Sequence, residues 1–443
     1  MRISELNHRR ICILGFGREG QATLRALEKY APDADITIAD ANPEIRDTRY
    51  EIRAGTGYLQ HLDDFDAIIK SPGIPPSPQL KAQSSKLMSA TQIFLDSIAD
   101  SGALVIGITG SKGKSTTTTL IFEMLTAGGK DAHLVGNIGV AVLDFLEQAK
   151  PGTIFVLEMS SYQLMDLTRS PHIAVVTAFF PEHLDYHGSI DAYKEAKKHI
   201  TRFQAKNDCV FYNALFSETK EIAEESPGTK IPFTSADAPL PLSETHLLGE
   251  HNLGNMAAAF LVAQHLGIPK EACLQVLRTF PGLPHRLQRL GVYHGIEWVD
   301  DAISTTPEST IAALRALGNR VRTIILGGQD RGNDFAELGR VIAGSTIEHV
   351  ILFPGSGPRI RAAIEAAGTR VTFHDATSME EAVELAKQHT RSSKLPPSPR
   401  LRGAGKARSL PSIVLLSTAS PSYGMFKNFE EKGHMFQKYI REL

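Results

Sequence analysis

The sequence predicts an α/β protein of three domains. Short apolar runs of strand length alternate with helical stretches along the chain, and glycine-rich turns follow several of these runs. At 443 residues the chain is longer than one core usually serves, because a domain takes roughly 150 residues. Alternating strands and helices favour parallel sheets covered on both faces. We therefore expect domains at residues 1–96, 97–282 and 283–443.

The first segment begins with a βαβ pattern. In RICILGFGREGQATLRALEKY an apolar strand leads through Gly15, Gly17 and Gly20 into a helix, and the next strand, DITIAD, ends at Asp40. This spacing is typical of a Rossmann-like fold that binds a diphosphate at a helix N-terminus, but it does not say which diphosphate. Ser71 and Gly73 follow the later strand DAIIK, where either a ligand contact or a plain turn is consistent with the sequence.

The second segment places TGSKGKST directly after the strand ALVIGI and before a helical stretch. Gly110 and Gly113 permit tight turns, Lys114 supplies a positive charge, and Ser115 or Thr116 could ligate magnesium. The strict P-loop pattern requires glycine five residues before Gly113, where this chain has isoleucine. We interpret the stretch as a variant phosphate-binding loop; a solvated strand-to-helix turn is the alternative.

Three further groups of polar residues follow in this segment. Glu158 ends the strand TIFVLE, where a carboxylate could bind a metal ion or merely cap a helix. PEHLDYHG groups His183, Asp185 and His187 within five residues, a density that favours metal ligation or catalysis over a solvated turn. DAYKEAKKHI sets Lys194, Lys197 and Lys198 on a helix, usually a solvated basic face.

The third segment carries the apolar strands EWVDDA, RTIILGG, HVILF and SIVLLS between helical stretches, so it too is predicted to be α/β. Residues 391–408 interrupt it with six basic residues, no acidic residue and three prolines. This composition predicts an exposed, flexible insertion. An anionic partner could bind it, but a tolerated surface loop is favoured, because surface loops accept insertions at small cost.

Composition narrows the class of protein. The net charge is −2 with 22% charged residues, which indicates neither nucleic acid nor a membrane surface as the main partner. Three widely spaced cysteines fit a reducing compartment and have no metal-ligand spacing. The N-terminus lacks an apolar signal region and no apolar run approaches membrane-spanning length, so we expect a cytoplasmic protein. We expect it to be a monomer.

Taken together, the motifs resemble the Mur ligase family along essentially the whole chain. They occur in the family's order: TGSKGKST, GNIG (136–139), LEMSSYQL, EHLDYHG with YKEAK, GEHNLGNMAAA (249–259), GLPHR (282–286) and LSTASPSYGMFKNFEEKG. MSSYQL, GLPHR and FKNFEEKG are most similar to members that add glutamate to UDP-N-acetylmuramoyl-L-alanine in peptidoglycan precursor synthesis. The resemblance implies an N-terminal UDP-binding domain, a central ATPase-type domain and a C-terminal domain that contacts ATP and the amino acid.

The resemblance also implies a reaction and roles for particular residues. ATP would phosphorylate the substrate carboxylate, and the amine of glutamate would attack the resulting acyl phosphate. The implied catalytic residues are Lys114, Glu158, His183 and Lys197, the last matching the family's carbamylated lysine. Two Mg²⁺ sites would use Ser115, Thr116, Glu158, His183 and carbamylated Lys197. ATP would contact Gly110, Ser111, Lys112, Gly113, Lys114, Ser115, Thr116, Asn252, Asn255, Arg286 and Asp301, with His285 beside the last two.

Substrate contacts carry over in the same way. The UDP substrate would bind Gly15, Phe16, Gly17, Arg18, Asp40, Ser71, Gly73 and Asn137, and glutamate would bind Thr305, Arg331, Ser422 and Phe429. The glutamate site departs from the usual pattern, because Ile303 and Arg331 replace lysines and Thr306 replaces an asparagine. Arginine grips a carboxylate differently from lysine. The sequence therefore leaves L-glutamate open, with D-glutamate favoured.

Other functions remain open at this level. A sister Mur ligase or a folylpolyglutamate synthetase-like ligase shares the ATP chemistry, although FKNFEEKG argues against the folate enzyme. A nicotinamide-dependent oxidoreductase would account for Gly15, Gly17, Gly20 and Asp40, but not for the loop at 109–116. A catalytically inactive ATP-binding protein is disfavoured by the intact candidate catalytic residues.

Overall fold

A computed structural model describes residues 1–47, 49–368, 370–390 and 410–443, and only the backbone of Asp185. It confirms the predicted α/β class, with parallel-sheet domains. The chain divides into two compact units, Met1–Thr245 with His251–Phe280, and His246–Glu250 with Pro281–Leu443. The predicted basic insertion at residues 391–408 lies outside the described residues.

The first unit contains two parallel sheets. The elements of the first sheet region are β1 (Arg10–Leu14), α1 (Arg18–Tyr30), β2 (Asp35–Asp40), β3 (Glu51–Ala54), β4 (Ala67–Lys70), α2 (Pro78–Ala82), β5 (Leu87–Met88) and α3 (Ala90–Ser97). The strand order is β3-β2-β1-β4-β5, and all pairs are parallel. Ile11 to Leu14 are fully buried, as expected for a strand covered on both faces. The predicted βαβ unit is present.

The second sheet of this unit has six strands, also all parallel. Its elements are β6 (Leu104–Thr109), α4 (Lys114–Ala127), β7 (Asp131–Gly136), β8 (Thr153–Glu158), α5 (Ser161–Leu164), β9 (Ile173–Val176), α6 (Leu184–His187), α7 (Ile190–Arg202), β10 (Cys209–Asn213), α8 (Ser217–Glu224), β11 (Thr229–Phe233), α9 (His251–His265) and α10 (Lys270–Thr279). The order is β11-β10-β9-β6-β8-β7. Strands β9, β6 and β8 are therefore neighbours, so the residues that follow them meet at one edge of the sheet.

The second unit contains one six-stranded sheet. Its elements are β12 (Gln288–Tyr293), β13 (Ile296–Asp300), α11 (Pro307–Leu317), β14 (Val321–Gly328), α12 (Ala336–Ala343), β15 (His349–Gly355), α13 (Gly357–Ala366), β16 (Thr372–Asp375), α14 (Met379–His389), β17 (Ser412–Leu416) and α15 (Phe429–Glu442). The order is β12-β13-β17-β14-β15-β16, with β12 antiparallel to β13. The alternation of strands and helices did not predict this antiparallel edge strand. A tight turn at Gly295 joins β12 directly to β13, with no helix between them.

Two cores in the second unit lie on opposite faces of its sheet strands, as in a layered α/β domain. No helix within the described ranges is long and apolar enough to cross a membrane. The three sheets occupy residues 10–88, 104–233 and 288–416, which is compatible with the predicted domain boundaries, but those boundaries stay a prediction.

Candidate active site

The loop between β6 and α4 has the geometry of a phosphate cradle. Gly110 and Gly113 have φ of +151° and +88°, so both adopt backbone conformations that other residues rarely use. A Cβ atom at Gly110 would lie 2.1 Å from Oγ1 of Thr177, and one at Gly113 would lie 2.3 Å from Oδ1 of Asn255. Both positions therefore require glycine, and the loop leads into the N-terminus of a 14-residue helix, where backbone N–H groups favour anions.

Two side chains of this loop, those of Ser111 and Lys112, differ in their exposure to solvent. Ser111 is buried: its hydroxyl donates to the carbonyl of Phe180, accepts from the N–H of the same residue, and lies 3.0 Å from the Tyr193 hydroxyl. Lys112 is exposed and forms an ion pair with Glu182 at 2.6 Å. The N–H of Ser111 also donates to the carbonyl of Ala178 at 2.7 Å, so this residue fixes the shape of the loop.

Lys114 is the first residue of α4. Its Nζ donates to the carbonyls of Gly110 and Ser111 at 2.8 and 2.9 Å, so the ammonium group lies over the loop itself. Ser115 and Thr116 follow in the first turn, the former partly exposed and the latter buried. The positive charge and the helix N-terminus thus converge on the concave side of one loop, as phosphate binding requires.

Glu158 lies beside this loop. It ends β8 and pairs in register with Ile108 of β6, two residues before the loop begins. Its side chain is 1% exposed, and Oε1 accepts a 2.7 Å hydrogen bond from Nδ2 of Asn137. Oε2 is buried and has no hydrogen-bond partner within the part of the chain that the structure describes. A buried carboxylate oxygen is costly unless a cation or donor meets it, so this atom fits a metal ligand.

His183 also adopts a strained conformation. Its φ of +56° and ψ of +35° place a non-glycine residue in the left-handed region just before the one-turn helix α6. The imidazole lies 5.1 Å, ring centre to ring centre, from Tyr162, while His187 bonds to the hydroxyl of Ser161 at 2.9 Å. The predicted cluster therefore forms a short helix rather than an open turn, and only His183 of the two histidines lies on the exposed side.

Lys197 does not lie on a solvated face. It is 1% exposed, and its Nζ lies 3.1 Å from the Gly110 carbonyl, 3.3 Å from Oγ1 of Thr109 and 4.6 Å from the centre of the Tyr193 ring. Burial, with the nearby charge of Lys114, lowers the pKa of Lys197 well below its ordinary value. A neutral amine at the phosphate loop is the form that can react with carbon dioxide.

Two asparagines on α9 also contact the loop helix. Asn255 accepts from the hydroxyl of Thr117 at 3.3 Å and donates to Oδ1 of Asn252 at 2.8 Å. Both asparagines are buried. They therefore lie at the phosphate loop, in the same unit as Lys114, Glu158 and Lys197.

The glycine loop after β1 is held by side chains that the sequence indicated. Oδ2 of Asp40 accepts from the N–H of Phe16 at 2.6 Å, and the hydroxyl of Ser71 donates to the carbonyl of Gly15 at 2.9 Å. Gly73 is exposed with open space around it. Oδ1 of Asp40 accepts from the N–H of Asn42 at 2.7 Å, so both of its oxygens help to hold the backbone around this loop.

Arg18 connects this loop to the ATP-type loop region. As the first residue of α1, after Gly17, it donates to the carbonyls of Gly136 and Asn137 at 3.2 Å. Asn137 in turn donates to Glu158. The structure thus brings the first glycine loop, the GNIG turn and the candidate metal carboxylate into one connected network.

Two charged residues near this network, Lys70 and Glu19, were not predicted from the sequence. Lys70, at the end of β4, is 6% exposed and lies 3.5 Å from the Tyr186 hydroxyl and 3.9 Å from Asp166. Glu19 accepts from Gln163 at 2.9 Å, and burial raises its pKa. A charged residue closing the apolar run DAIIK was the available signal for Lys70, whereas the position of Glu19 depends on tertiary packing.

In the second unit, Asp301 is a buried carboxylate after β13. Its oxygens accept from the N–H of Leu287 at 3.1 Å and the hydroxyl of Ser417 at 2.8 Å. Burial raises the pKa of Asp301 to about 6, although the nearby charge of Arg286 opposes the shift. His285 has a φ of +59°. Its Nδ1 lies at hydrogen-bond distance, 2.8 Å, from Oδ2 of the buried Asp300. The predicted group Arg286, Asp301 and His285 is therefore contiguous.

The predicted glutamate residues follow adjacent strands of the same sheet. Thr305 comes after β13, Arg331 after β14 and Ser422 after β17, and these strands are neighbours in the order β13-β17-β14. The hydroxyl of Ser422 is buried and finds no hydrogen-bond partner within the described ranges. The guanidinium of Arg331 is exposed and lies 5.7 Å from the centre of the Tyr423 ring.

Local strain supports a binding site at this edge. Ala419 has a φ of +54°, which is rare for alanine, and Phe429 begins α15 behind the cap residue Asn428.

Thr306 is the N-cap of α11 and accepts from the N–H of Ser309. Threonine and asparagine both cap helices, so the replacement at Thr306 retains that structural role. Ile303 is partly buried and donates its N–H to the carbonyl of His285.

Comparison with known proteins gives two family matches. The model of the Mur ligase middle domain matches residues 108–237, and that of the Mur ligase glutamate ligase domain matches residues 285–395. Together they span more than half of the chain and include the phosphate loop, Glu158, His183 and Lys197 in the first match, and Asp301, Thr305 and Arg331 in the second.

Full-length relatives and a solved structure agree with these matches. A UDP-N-acetylmuramoylalanine--D-glutamate ligase of Streptococcus agalactiae serotype III is 33% identical, with 98% of this chain and 97% of the relative covered. A UDP-N-acetylmuramoyl-L-alanine--L-glutamate ligase of Salinispora tropica is 34% identical over 100% of this chain and 99% of its own length. The MurF ligase of Thermotoga maritima, solved in complex with ADP, shares the fold with a TM-score of 0.60 and 16% identity, covering 100% and 97% of the two chains.

Proposed function

The chain belongs to the Mur ligase family and is an ATP-dependent ligase, and we propose that it joins glutamate to UDP-N-acetylmuramoyl-L-alanine in peptidoglycan precursor synthesis. The observation that carries this proposal is the buried oxygen of Glu158, which has no hydrogen-bond partner among the described residues and lies beside a glycine-rich loop that ends in Lys114. A carboxylate acylates an amine only after one oxygen becomes a good leaving group. ATP-driven phosphorylation at this loop supplies that leaving group.

The proposed reaction has two steps. A carboxylate oxygen of UDP-N-acetylmuramoyl-L-alanine attacks the γ-phosphorus of ATP, the bond to the ADP oxygen breaks, and an acyl phosphate forms. The neutral amine of glutamate then attacks the acyl carbon, loses a proton, and expels inorganic phosphate from the tetrahedral intermediate. Most of the catalysis is positioning and charge stabilisation, as in other phosphoryl transfers.

The phosphate loop supplies the charge stabilisation. The N–H groups at the start of α4 and the ammonium of Lys114 neutralise the β- and γ-phosphate oxygens. Asn255, which contacts the loop, and Asn252 beside it are proposed to line the nucleotide pocket. Lys112 contributes through its backbone, because its side chain pairs with Glu182. Ser111 holds the loop in shape, because its hydroxyl contacts Phe180 and Tyr193 and its N–H donates to Ala178.

The residues present fit magnesium. Glu158 and the exposed His183 would hold it together with the hydroxyl of Ser115 or Thr116, an oxygen-rich set suited to a hard cation. When bound, Mg²⁺ supplies charge neutralisation on the transferring phosphoryl group. Asn137 keeps the carboxylate of Glu158 in place through its 2.7 Å hydrogen bond.

Lys197 is proposed to be carbamylated. Its nitrogen attacks carbon dioxide and releases a proton, which converts a buried amine into an anionic oxygen ligand for a second Mg²⁺. The lowered pKa of Lys197 supports this role, because only the neutral amine reacts. An uncompensated lysine charge at this depth would otherwise be costly.

The remaining substrate contacts are proposals of the same kind. The loop of Gly15 to Arg18, with Asp40, Ser71, Gly73 and Asn137, would hold the uridine diphosphate. Arg286 and Asp301 would contact ATP, and Thr305, Arg331, Ser422 and Phe429 would hold glutamate. Two observations support the last assignment: the buried hydroxyl of Ser422 has no hydrogen-bond partner in the described ranges, and the guanidinium of Arg331 is exposed.

D-Glutamate is the proposed isomer, with L-glutamate as the alternative. Relatives of nearly equal identity carry the two activities in their names, so overall similarity does not separate them. Ile303 and Arg331 are the positions where this chain departs from the usual glutamate site. We place the enzyme in the cytoplasm as a monomer, where its three free buried cysteines would stay reduced.

The test is a direct assay of the purified protein. ATP, Mg²⁺ and UDP-N-acetylmuramoyl-L-alanine are incubated with D- or L-glutamate separately, and the ligated product is identified by its mass. Product with D-glutamate supports the proposal as stated, and product with L-glutamate alone corrects the isomer. Product with neither isomer, from an enzyme that ligates another amino acid, would overturn the glutamate assignment.

A further inference from the structure

Three histidines of the second unit converge at one corner of its sheet. His349 begins β15, His374 lies in the edge strand β16, and His389 is the last residue of α14. His349 pairs in register with Thr372, so His349 and His374 point to the same face of the sheet two positions apart. None of the three has a place in the proposed ligase reaction.

The imidazole nitrogens are close enough to share one ion. Nδ1 of His349 lies 3.2 Å from Nε2 of His374, and one ring nitrogen from each of the three residues lies within 4.8 Å of the others. A tetrahedral ion with nitrogens at about 2.0–2.1 Å separates two ligands by about 3.3 Å. The His349–His374 pair already has this separation. His389 stacks on His374 at 4.1 Å between ring centres, and a ring rotation would turn its nitrogen toward the pair.

The cluster is partly accessible to solvent. All three side chains are partly buried, and His374 is flanked by the other two imidazoles. The partial exposure also leaves a path for an ion and for a water molecule as the fourth ligand.

We propose that His349, His374 and His389 form a binding site for a divalent transition-metal ion, with Zn²⁺ as the expected occupant. Three imidazoles suit Zn²⁺, Co²⁺, Ni²⁺ or Cu²⁺, whereas Mg²⁺ prefers oxygen ligands. The site is therefore chemically different from the carboxylate site at Glu158. Since it connects β15, the edge strand β16 and the end of α14, the bound ion stabilises the second unit without taking part in turnover.

The position in the sheet supports this separation of roles. His349 is at the amino end of its strand, while Asp301, Arg331 and Ser422 follow the carboxyl ends of other strands in the same sheet. In a parallel arrangement the amino ends and the carboxyl ends of the strands lie at opposite ends of the sheet. Metal binding at the histidines should therefore change stability and leave the kinetic constants unchanged.

The experiment titrates tag-free, EDTA-washed full-length protein with Co²⁺ in saturating Mg²⁺ and follows the visible absorption of the cobalt ion. Isothermal titration with Zn²⁺ gives the stoichiometry. His374→Ala and His389→Gln are compared with His294→Ala, an exposed histidine of the same unit. We expect one equivalent of metal to bind to the wild type and to His294→Ala, and at least about tenfold weaker binding to the two cluster variants.

Thermal unfolding provides the second readout. Zn²⁺ should raise the melting temperature of the wild type and of His294→Ala but not of His374→Ala or His389→Gln, while ATP turnover stays equal in all four proteins. The proposal is overturned if the cluster variants bind as much Co²⁺ as the wild type, or if His294→Ala loses the same equivalent. Should His374→Ala fail to fold, the near-isosteric His389→Gln decides between these results.

Discussion

Asn137 donates a 2.7 Å hydrogen bond to one oxygen of the Glu158 carboxylate, and the other oxygen is buried with no hydrogen-bond partner in the described part of the chain. The amide thus fixes the orientation of the Glu158 carboxylate. The backbone of Asn137 also accepts from Arg18, which begins the helix after the first glycine loop. Hydrogen bonds therefore connect the proposed metal ligand to the first glycine loop.

Glu158→Gln should lower turnover by about 100-fold or more while the protein stays folded. The amide oxygen of glutamine can still accept from Asn137, but it carries no charge for Mg²⁺. Initial rates of phosphate release, measured at increasing Mg²⁺, are the readout. Glu123→Gln, which alters an exposed carboxylate on α4, should keep wild-type rates. Equal rates for the two variants would remove Glu158 from the proposed metal site.

Lys197→Ala should also reduce turnover by about 100-fold or more, because the proposed carbamate ligand is lost. Lys198→Ala is the matched control: Lys198 is the next residue on α7, is partly buried, and forms an ion pair with Glu225 at 2.9 Å. It has no place in the proposed site, so its loss should leave turnover near the wild-type value. The wild type should further lose activity in buffer depleted of carbon dioxide. Near-normal turnover of Lys197→Ala without added carboxylate anions would contradict the assignment.

The sequence was sufficient to predict the α/β class, the strands β1, β2, β6, β8 and β14, and the glycine loops. These features depend on local patterns, because strands buried on both faces are apolar throughout and tight turns need glycine. The phosphate loop was identified although its spacing departs from the strict pattern, since Gly110 and Gly113 still occupy the two strained positions. Local residue patterns therefore predicted the edge of the sheet at which the candidate phosphate loop lies.

Other features depend on contacts between distant residues and could not be obtained from local patterns. Lys197 has the sequence context of a solvated helix face, yet α7 packs it against Thr109 and Gly110, 88 and 87 positions earlier in the chain. Lys70 and Glu19 are buried by the same kind of packing. The histidine cluster unites residues 25 and 15 positions apart, and neither spacing is a metal-binding motif. Burial and convergence are properties of the fold.

Lys432 should make stability depend on pH above neutrality. It is 1% exposed, donates to the Thr418 hydroxyl, and burial lowers its pKa from 10.5 to about 8, against the opposing charges of Asp300 and Asp301. Below pH 8 the folded protein bears the full cost of a buried charge. Between pH 8 and 10.5 the unfolded chain binds more protons than the folded one, so stability rises with pH by about 3 kcal/mol from this group.

Lys432→Met removes this titration, and chemical unfolding of both proteins between pH 7 and 10.5 measures it. Between pH 8 and 10.5 the free energy of unfolding of the wild type should rise relative to that of the variant, because only the wild type has this titrating lysine. Burial raises the pKa of Asp301 only to about 6, below the range of this measurement. Lys438→Met, an exposed lysine on the same helix, should run parallel to the wild type. Parallel curves for Lys432→Met would contradict the lowered pKa.

Arg331→Ala should raise the KM for glutamate by about 10- to 100-fold, because a charge-assisted hydrogen bond to the carboxylate is lost. The KM for ATP should stay near its wild-type value. Arg340→Ala removes an exposed guanidinium on α12 that pairs with Glu337, and should change neither constant. If Arg331→Ala left the KM for glutamate unchanged, this residue would have no part in binding the amino acid.

Replacing Arg331 by lysine addresses the isomer. Lysine presents a compact charge instead of a planar fork, so it should change the ratio of kcat/KM for D- and L-glutamate more than it changes the KM for ATP. Combination with Ile303→Lys restores both residues that the resemblance leads us to expect. An unaltered ratio in the double variant would place the control of handedness elsewhere in the glutamate site.

The most direct measurement of the central claim follows an oxygen atom. UDP-N-acetylmuramoyl-L-alanine labelled with ¹⁸O in both carboxylate oxygens is converted with ATP, Mg²⁺ and glutamate, and the released phosphate is analysed by mass. If an acyl phosphate forms, one labelled oxygen leaves with the phosphate and the other stays in the new amide. Ligation that yields unlabelled phosphate would contradict the account, because the carboxylate oxygen would then never have been phosphorylated.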